Sequence, residues 1–567
     1  MNALRALFCL MFAASLLSAQ TGAKEPTNDA QAARKNAPHI VIETVGPDGW
    51  RARLGPTNIG TMLASEAGRK IWQPRIAPVL SGWRRSTGSD DTFADASARM
   101  FAYGGTLRLA LRLDRSMNWI HNAALVLEPG RGGAAELQAL SKDIRALVLQ
   151  GGGDEIGTFK LGERTLSARK EGRLSISEPF ERDGTLVILA GYRHSPKTES
   201  METAEALLEH LLRRERQIQS PSPNSPALHV HVDMHDVKRG LIGFGFGEIE
   251  KAMGLDNLES ATFEITAAGP HVSASLAVST EAPRTHLLAA LMPVSQGISP
   301  LTQLLPEASA TAWKVGRFDL HALANTFFDV LDITGFAPGD DSRAAAEKEL
   351  GIDLSEDLLA HLSDEVMVTG APLSNFDRPR EASWSITFRV MEQEPFRKAF
   401  ETMLPNWKPF LSVAETVDVD GVQLRRFANM IGYDVWMATG NGLFSIGVGR
   451  DAEDDLTNLL QRAAAKPLGA VSNKTTLFAD LSRHLPEGVQ GIAQLDINES
   501  LSVPAEWWLE VIEEILPSLM NGMISEDQAE EEQEQMRALL NEHNLNIIRT
   551  ATGSSDGGKR WDWRLYW

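Results

Sequence analysis

The chain has 567 residues, 43% of them hydrophobic, enough apolar material for two to four domains that each bury most of their apolar surface. Its formal net charge of -20 makes nucleic acid and anionic membrane surfaces poor partners, because neutralising phosphate takes clustered Lys and Arg. The single cysteine, Cys9, stands near the start of the chain, so no disulfide framework can be built within it.

Arg5 precedes the apolar run Ala6 to Ala19, which is too short to span a bilayer and has the length of a signal-peptide core. Ala19 or Ala23 offers a small residue for cleavage. Residues 1–23 are therefore expected to be a signal peptide, and the protein to be exported to the periplasm or the medium. Cys9 lies inside the apolar core rather than after it, which argues against a lipid anchor. Cleavage would remove the only thiol, leaving a mature chain without a cysteine nucleophile or thiolate ligand. No later stretch approaches the ~18 uninterrupted apolar residues of a transmembrane helix.

Residues 37–218 are expected to form a first module. Leu107, Leu109, Leu111 and Leu113 alternate with polar or small residues, as in a strand with one buried face. Leu125 to Leu127 is a second strand. A helix follows with Leu137, Leu140, Ile144 and Leu147 on one face. Then come a hairpin turning at Gly162-Glu163, a strand at Leu186 to Ala190, and a helix with Leu207, Leu208, Leu211 and Leu212. Residues 219–227, QSPSPNSPA, carry three prolines and read as a linker.

The second module, residues 228–466, repeats that order. Val366 and Val368 mark a strand, as do Trp384, Ile386, Phe388 and Val390. The next helix carries Phe396, Ala399, Phe400 and Met403, with Pro395 in its first turn. Asp420-Gly421 suits a type I′ hairpin turn because both residues tolerate positive φ. The strand Leu443 to Val448 leads to a helix with Leu456, Leu459, Leu460 and Ala463. Gly162 and Gly184 of the first module align with Gly421 and Gly442 of the second at nearly constant spacing.

Residues 467–567 read as a C-terminal extension: a strand at Gly491 to Ile497, a helix with Trp507, Trp508, Val511, Ile512 and Ile515, and an acidic helix from Glu526. The acidic run Glu526 to Glu534 lacks the glycine and spacing of a calcium loop and reads as a solvated face. Trp561, Trp563, Leu565 and Trp567 alternate with polar residues in a final strand. The expected fold class is α+β: two related modules of mostly antiparallel sheet packed with amphipathic helices, plus a helix-strand extension.

One constellation suggests chemistry. His229, His231, Asp233 and His235 stand at alternate positions, which on a strand share a face, and imidazole with carboxylate suits zinc. The run resembles the H-x-H-x-D-H signature of metallo-β-lactamase-fold hydrolases, but Met234 separates Asp233 from the last histidine. His271, His286, His321 and His361 sit in no matching motif. Asp319 and Asp496 likewise stand after strands, which reads as aspartate ending a strand and capping the next segment. Three other patterns lack context. Gly553 to Gly557 fits G-x-S-x-G with no histidine after it. Ser167 to Lys170 fits S-x-x-K in a hairpin arm, and Gly243, Gly245 and Gly247 lack a dinucleotide fold's strand and downstream acid.

The segment Glu349 to Gly370, with Leu350, Gly351, Ile352, Asp353, Asp357, Leu358, Leu359 and Glu365, resembles domain of unknown function 3352 of secreted bacterial proteins. Asp353 can cap the short helix, with Glu356 three places on. The resemblance extends over Thr311 to Ala465, and Ile59 to Leu80, with Gly60, Leu63, Trp72 and Pro74, is similar to the start of a related copy. It implies export and brings no catalytic residues. The expectation is therefore an exported, non-catalytic protein with no catalytic, cofactor or metal residues, binding a protein, peptide or lipid, or structural in the cell envelope. The alternative is a metal-dependent hydrolase using His229, His231 and Asp233.

Overall fold

The computed structural model describes residues 37–70, 103–113, 120–130, 132–150, 156–161, 163–171, 174–192, 199–218, 225–234, 247–281, 284–293, 297–305, 312–334, 341–370, 384–406, 413–430, 433–449, 452–465, 468, 489–496, 526–555 and 559–566. The expected signal peptide, Gly162, most of the linker, His235, Gly243, Gly245 and the Trp507 helix lie outside them.

The described residues form 21 strands and 11 α-helices, so the protein is α+β. The first strands are β1 (Ile40–Val45), β2 (Thr106–Leu113), β3 (Ile120–Glu128), β4 (Ile156–Leu161), β5 (Arg164–Glu171), β6 (Leu174–Ser177), β7 (Phe180–Arg182), β8 (Thr185–Tyr192), β9 (Leu228–Asp233), β10 (Leu258–Ala268) and β11 (His271–Thr280). The later ones are β12 (Ala312–Arg317), β13 (Leu362–Gly370), β14 (Trp384–Val390), β15 (Val413–Val419), β16 (Val422–Met430), β17 (Tyr433–Gly440), β18 (Leu443–Val448), β19 (Val489–Asp496), β20 (Ile547–Ser555) and β21 (Arg560–Tyr566). The helices are α1 (Pro47–Leu54), α2 (Asn58–Ala64), α3 (Gly133–Gln150), α4 (Glu199–Arg213), α5 (Gly247–Ala252), α6 (His286–Leu291), α7 (Leu320–Thr334), α8 (Ser342–Leu350), α9 (Gln393–Met403), α10 (Ala452–Ala465) and α11 (Glu526–Glu542).

Every described pairing is antiparallel, and the pairings run in one path. From one end the order is β4, β5, β6 with β7, β8, β3, β2, β1, β9, β10, β11. From the other end it is β15, β16, β17, β18, β14, β13, β12, β19, β20, β21. The two runs meet where β11 pairs with β21. No described pairing joins β4 to β15, so the described ladder does not close into a barrel.

Helices cover both faces, which the period of two makes visible. Leu125 and Leu127 of β3, with Leu186 and Ile188 of β8, pack on Leu137 and Leu140 of α3. The intervening Ala124, Val126, Val187 and Leu189 pack on Leu207, Leu208 and Leu211 of α4. The second run is built alike: Val435 and Met437 of β17 face Phe396 and Phe400 of α9, while Trp436 and Ala438 face Leu456 and Leu460 of α10. This corrects the reading of β2 as a strand with one buried face. Leu107, Leu109 and Leu111 are only half-buried, whereas Arg108 and Ala110 between them are buried, because α3 and α4 press on opposite sides of that part of the sheet.

Local chemistry behaves as the sequence requires. Asp420-Gly421 has φ of 52° and 82°, and Asp183-Gly184 and Asn441-Gly442 repeat the pattern at 51° and 74° and at 54° and 75°. Each joins two paired strands as a type I′ turn does. Asp319 caps α7, accepting from Ala322 N at 3.0 Å. Asp353 accepts from Ser355 N and Glu356 N at 2.9 Å each, but the reciprocal acceptor for its own N–H is Asp357, not Glu356. Ser167 to Lys170 lies within β5, and Gly553 to Ser555 within β20.

The described strands of the last hundred residues sit inside the sheet. β19 lies between β12 and β20, and β21 between β20 and β11. Met62 of α2 packs on Leu539 and Leu540 of α11, and α5 packs on α7, so helices of each run also touch helices of the other.

Candidate functional site

Residues directly opposed in antiparallel strands point to the same face, so the register traces rows across the sheet. On the α4 face one row runs Arg108, Glu43, His229, Glu264, Ser275, Arg564. It then continues as Ala551, Ile492, Val315 and Met367, which are buried in the cluster under α10. One row thus changes from charged to apolar at the step from β21 to β20. A parallel row carries Val41, His231, Thr262, Ala277 and Asp562.

The inner end of the polar row is a buried ion network. Arg108 is 2% exposed and contacts Glu43 Oε1 at 3.3 Å through Nη2 and Glu128 Oε1 at 3.6 Å through Nη1. Arg216 reaches the same Glu128 oxygen at 3.1 Å. Glu43 Oε2 accepts from Gln217 N at 2.9 Å and Ile218 N at 3.3 Å, while Arg108 donates to the Arg214 carbonyl at 3.1 Å. These bonds hold the segment after α4 against β1 and β2, and so make Arg214 and Gln217 a wall over the neighbouring strands.

Beside that wall is a cavity of about 500 Å³. Its floor is hydroxyl-rich: Thr262 and Thr266 of β10, Ser273, Ser275 and Ser279 of β11, and Tyr566 of β21. His229, His231, Glu264, Asp562, Arg560 and Arg564 complete it. Several of its polar groups engage one another. His229 Nδ1 lies 2.9 Å from Glu264 Oε1, and Arg560 bonds Asp562 at 3.0 to 3.2 Å. His229 Nε2 is buried with no hydrogen-bond partner among the described residues.

His231 Nδ1 lies 3.2 Å from the Thr262 hydroxyl. Burial pushes its pKa down to about 4, helped by Arg214 and His229 and opposed by Asp233, so the ring is neutral at pH 7. Because the folded value lies below the ordinary 6.5, the unfolded chain takes up this proton first as the pH falls. The stability contribution is whole above pH 6.5 and is lost between about 6.5 and 4. The melting temperature of His231→Gln should therefore fall less steeply than wild type across that window; parallel curves would contradict the assignment.

His229, His231 and Asp233 do share one face of β9, as the alternation predicts. They do not form a described metal centre: among the described residues no group of three or more His, Cys, Asp or Glu is placed to hold an ion. His286 stands 3.6 Å from Asp329 and His361 3.2 Å from Glu392, each paired with its own acid. Glu43, Arg108, Glu264, Arg214 and Arg564 were not singled out by sequence reading. The available signal was a charge interrupting apolar strands, as in IVIETV and TLRLALRL.

No family model matches the chain, and no curated protein matches it. The resemblance of Glu349 to Gly370 thus rests on its own residues. Among solved structures the chain is similar to crystal form III of TP0453, at 11% identity over 46% of this chain and 84% of that one, with a TM-score of 0.22. Crystal form IV gives 10% identity over 46% and 83%, also at 0.22. A likeness of that size carries no weight for the fold or the site. No helix among the described residues is long and apolar enough to cross a membrane.

Proposed function

We propose that this is an exported, non-catalytic binding protein of the cell envelope, built from two copies of one unit, with its ligand taken in the polar groove over β9, β10, β11 and β21. The groove carries the reading: a cavity of about 500 Å³, in the size range of small-ligand sites, floored by hydroxyls on rigid strands. Its polar lining favours a polar ligand such as a peptide over a lipid. His229 Nε2, the nitrogen opposite the Glu264 contact, has no hydroxyl within hydrogen-bond distance among the described residues, so no nucleophile is paired with that ring.

The duplication is supported by topology. Each pairing of the run from β1 to β11 has a counterpart in the run from β12 to β21, with β17 standing where β6 and β7 stand together. On this reading the units are about residues 40–280 and 312–566, and the segment 467–567 completes the second unit.

The test is recovery of the protein from its host. N-terminal sequencing of the envelope fraction should start after Ala19 or Ala23, and the purified chain supplied with zinc or manganese should hydrolyse no ester, phosphoester or β-lactam probe. Retention in the cytoplasm with Met1 in place would overturn export. Turnover that disappears in the His229→Ala, His231→Ala double variant would replace the binding reading with the metal-dependent hydrolase.

A further inference from the structure

The groove's charges do not balance. Three guanidinium side chains, Arg214, Arg560 and Arg564, face two carboxylates, Glu264 and Asp562. Glu264 is held by His229 and Asp562 by Arg560. Arg214 is half-buried on the groove wall, and no described residue forms an ion pair with its guanidinium. The acid whose charge acts on Arg214, Glu43, is already occupied by Arg108 and by two backbone N–H groups. Burial lowers the pKa of Arg214, and Arg108 adds to that effect while Glu43 opposes it, so its charge stands in a partly desolvated place beside another cation. A guanidinium in that setting is costly unless an oxyanion answers it.

We infer that the groove is an oxyanion site, in which Arg214 binds a carboxylate or phosphate group of the ligand while the hydroxyls of Thr262, Ser273 and Ser275 bond the neutral remainder. This rests on the groove being the binding site proposed above. The planar donor fork of arginine suits both anions, and a local excess of positive charge in a chain of net charge -20 attracts an anion that the rest of the surface repels. Arg214 is fixed for this role by its own backbone, since its carbonyl is anchored by buried Arg108.

The experiment is calorimetric titration of the whole mature chain with three probes: inorganic phosphate, a tri-aspartate peptide and a tri-serine peptide. Saturable binding of phosphate or tri-aspartate is expected, weakening with salt, and the probe that binds separates a phosphate from a carboxylate ligand. Arg214→Gln should weaken it at least tenfold, Arg214→Lys only a few-fold, and Arg213→Gln, whose side chain is 83% exposed, not at all. Thermal unfolding of each variant checks that the fold is kept, and Arg564→Gln provides a second site on the opposite side of the groove. Anion binding indifferent to Arg214→Gln in a folded variant would overturn the inference, whether or not Arg564→Gln affects it. Binding of tri-serine alone would overturn it too, while leaving the groove as a binding site. Binding of no probe by folded protein would also overturn it, and would tell against the groove itself.

Discussion

Glu43→Ala is expected to destabilise the protein by about 3–5 kcal/mol, the cost of leaving one member of a buried ion pair without its partner. Arg108, 2% exposed in the native fold, would keep Glu128 at 3.6 Å as its one described anionic partner, through an oxygen it shares with Arg216. The amides of Gln217 and Ile218 would lose their acceptor as well, adding roughly 1 kcal/mol. The double variant Glu43→Leu, Arg108→Met should recover most of the loss, because apolar residues of similar volume need no desolvation. Urea denaturation of the three proteins measures this. A single variant costing under about 1 kcal/mol, typical of exposed pairs, would show that the network is solvated. The same experiment bears on the groove, since losing Glu43 frees the segment that positions Arg214.

Ending the chain at Ser555 is expected to cost still more. β21 contributes seven residue pairs to β11 and seven to β20, so its removal breaks the junction between the two runs of strands. Both neighbours would become sheet edges with unpaired N–H and C=O groups, which are templates for aggregation. The apolar side chains of Trp561, Trp563 and Leu565 would be lost with it. The truncated protein should be recovered mainly as aggregate, or unfold in two separate transitions at lower urea than the full chain. A single transition at an unchanged midpoint would mean that the final strand is peripheral, as an appended extension would be.

The alternation of Trp561, Trp563 and Leu565 identifies a strand, but not that β11 lies on one side of it and β20 on the other. In β2 the leucines carry the apolar pattern, although Arg108 between them is the more buried. A strand covered on both faces loses the clean alternation of a half-exposed one, and a charge within it then marks a partner elsewhere. The His229 strand was legible as a face, yet Glu264 and Thr262, which engage its histidines, come from β10, more than thirty residues away.

What the sequence by itself determined is local. Phe396, Ala399, Phe400 and Met403 lie buried on one face of α9, Leu456, Leu459 and Leu460 on one face of α10, and Asp420-Gly421 makes its turn. Each depends on residues within about four positions, where periodicity and φ preference act directly. Tertiary structure alone decided the order of strands, the junction of β11 with β21 and the polar row from Arg108 to Arg564. The reason is that backbone hydrogen bonding between strands is indifferent to sequence, so neighbours are chosen by which side chains can be buried or paired together. Glu43 and the backbone it holds at Gln217 are 174 residues apart, and only the folded sheet makes them one site.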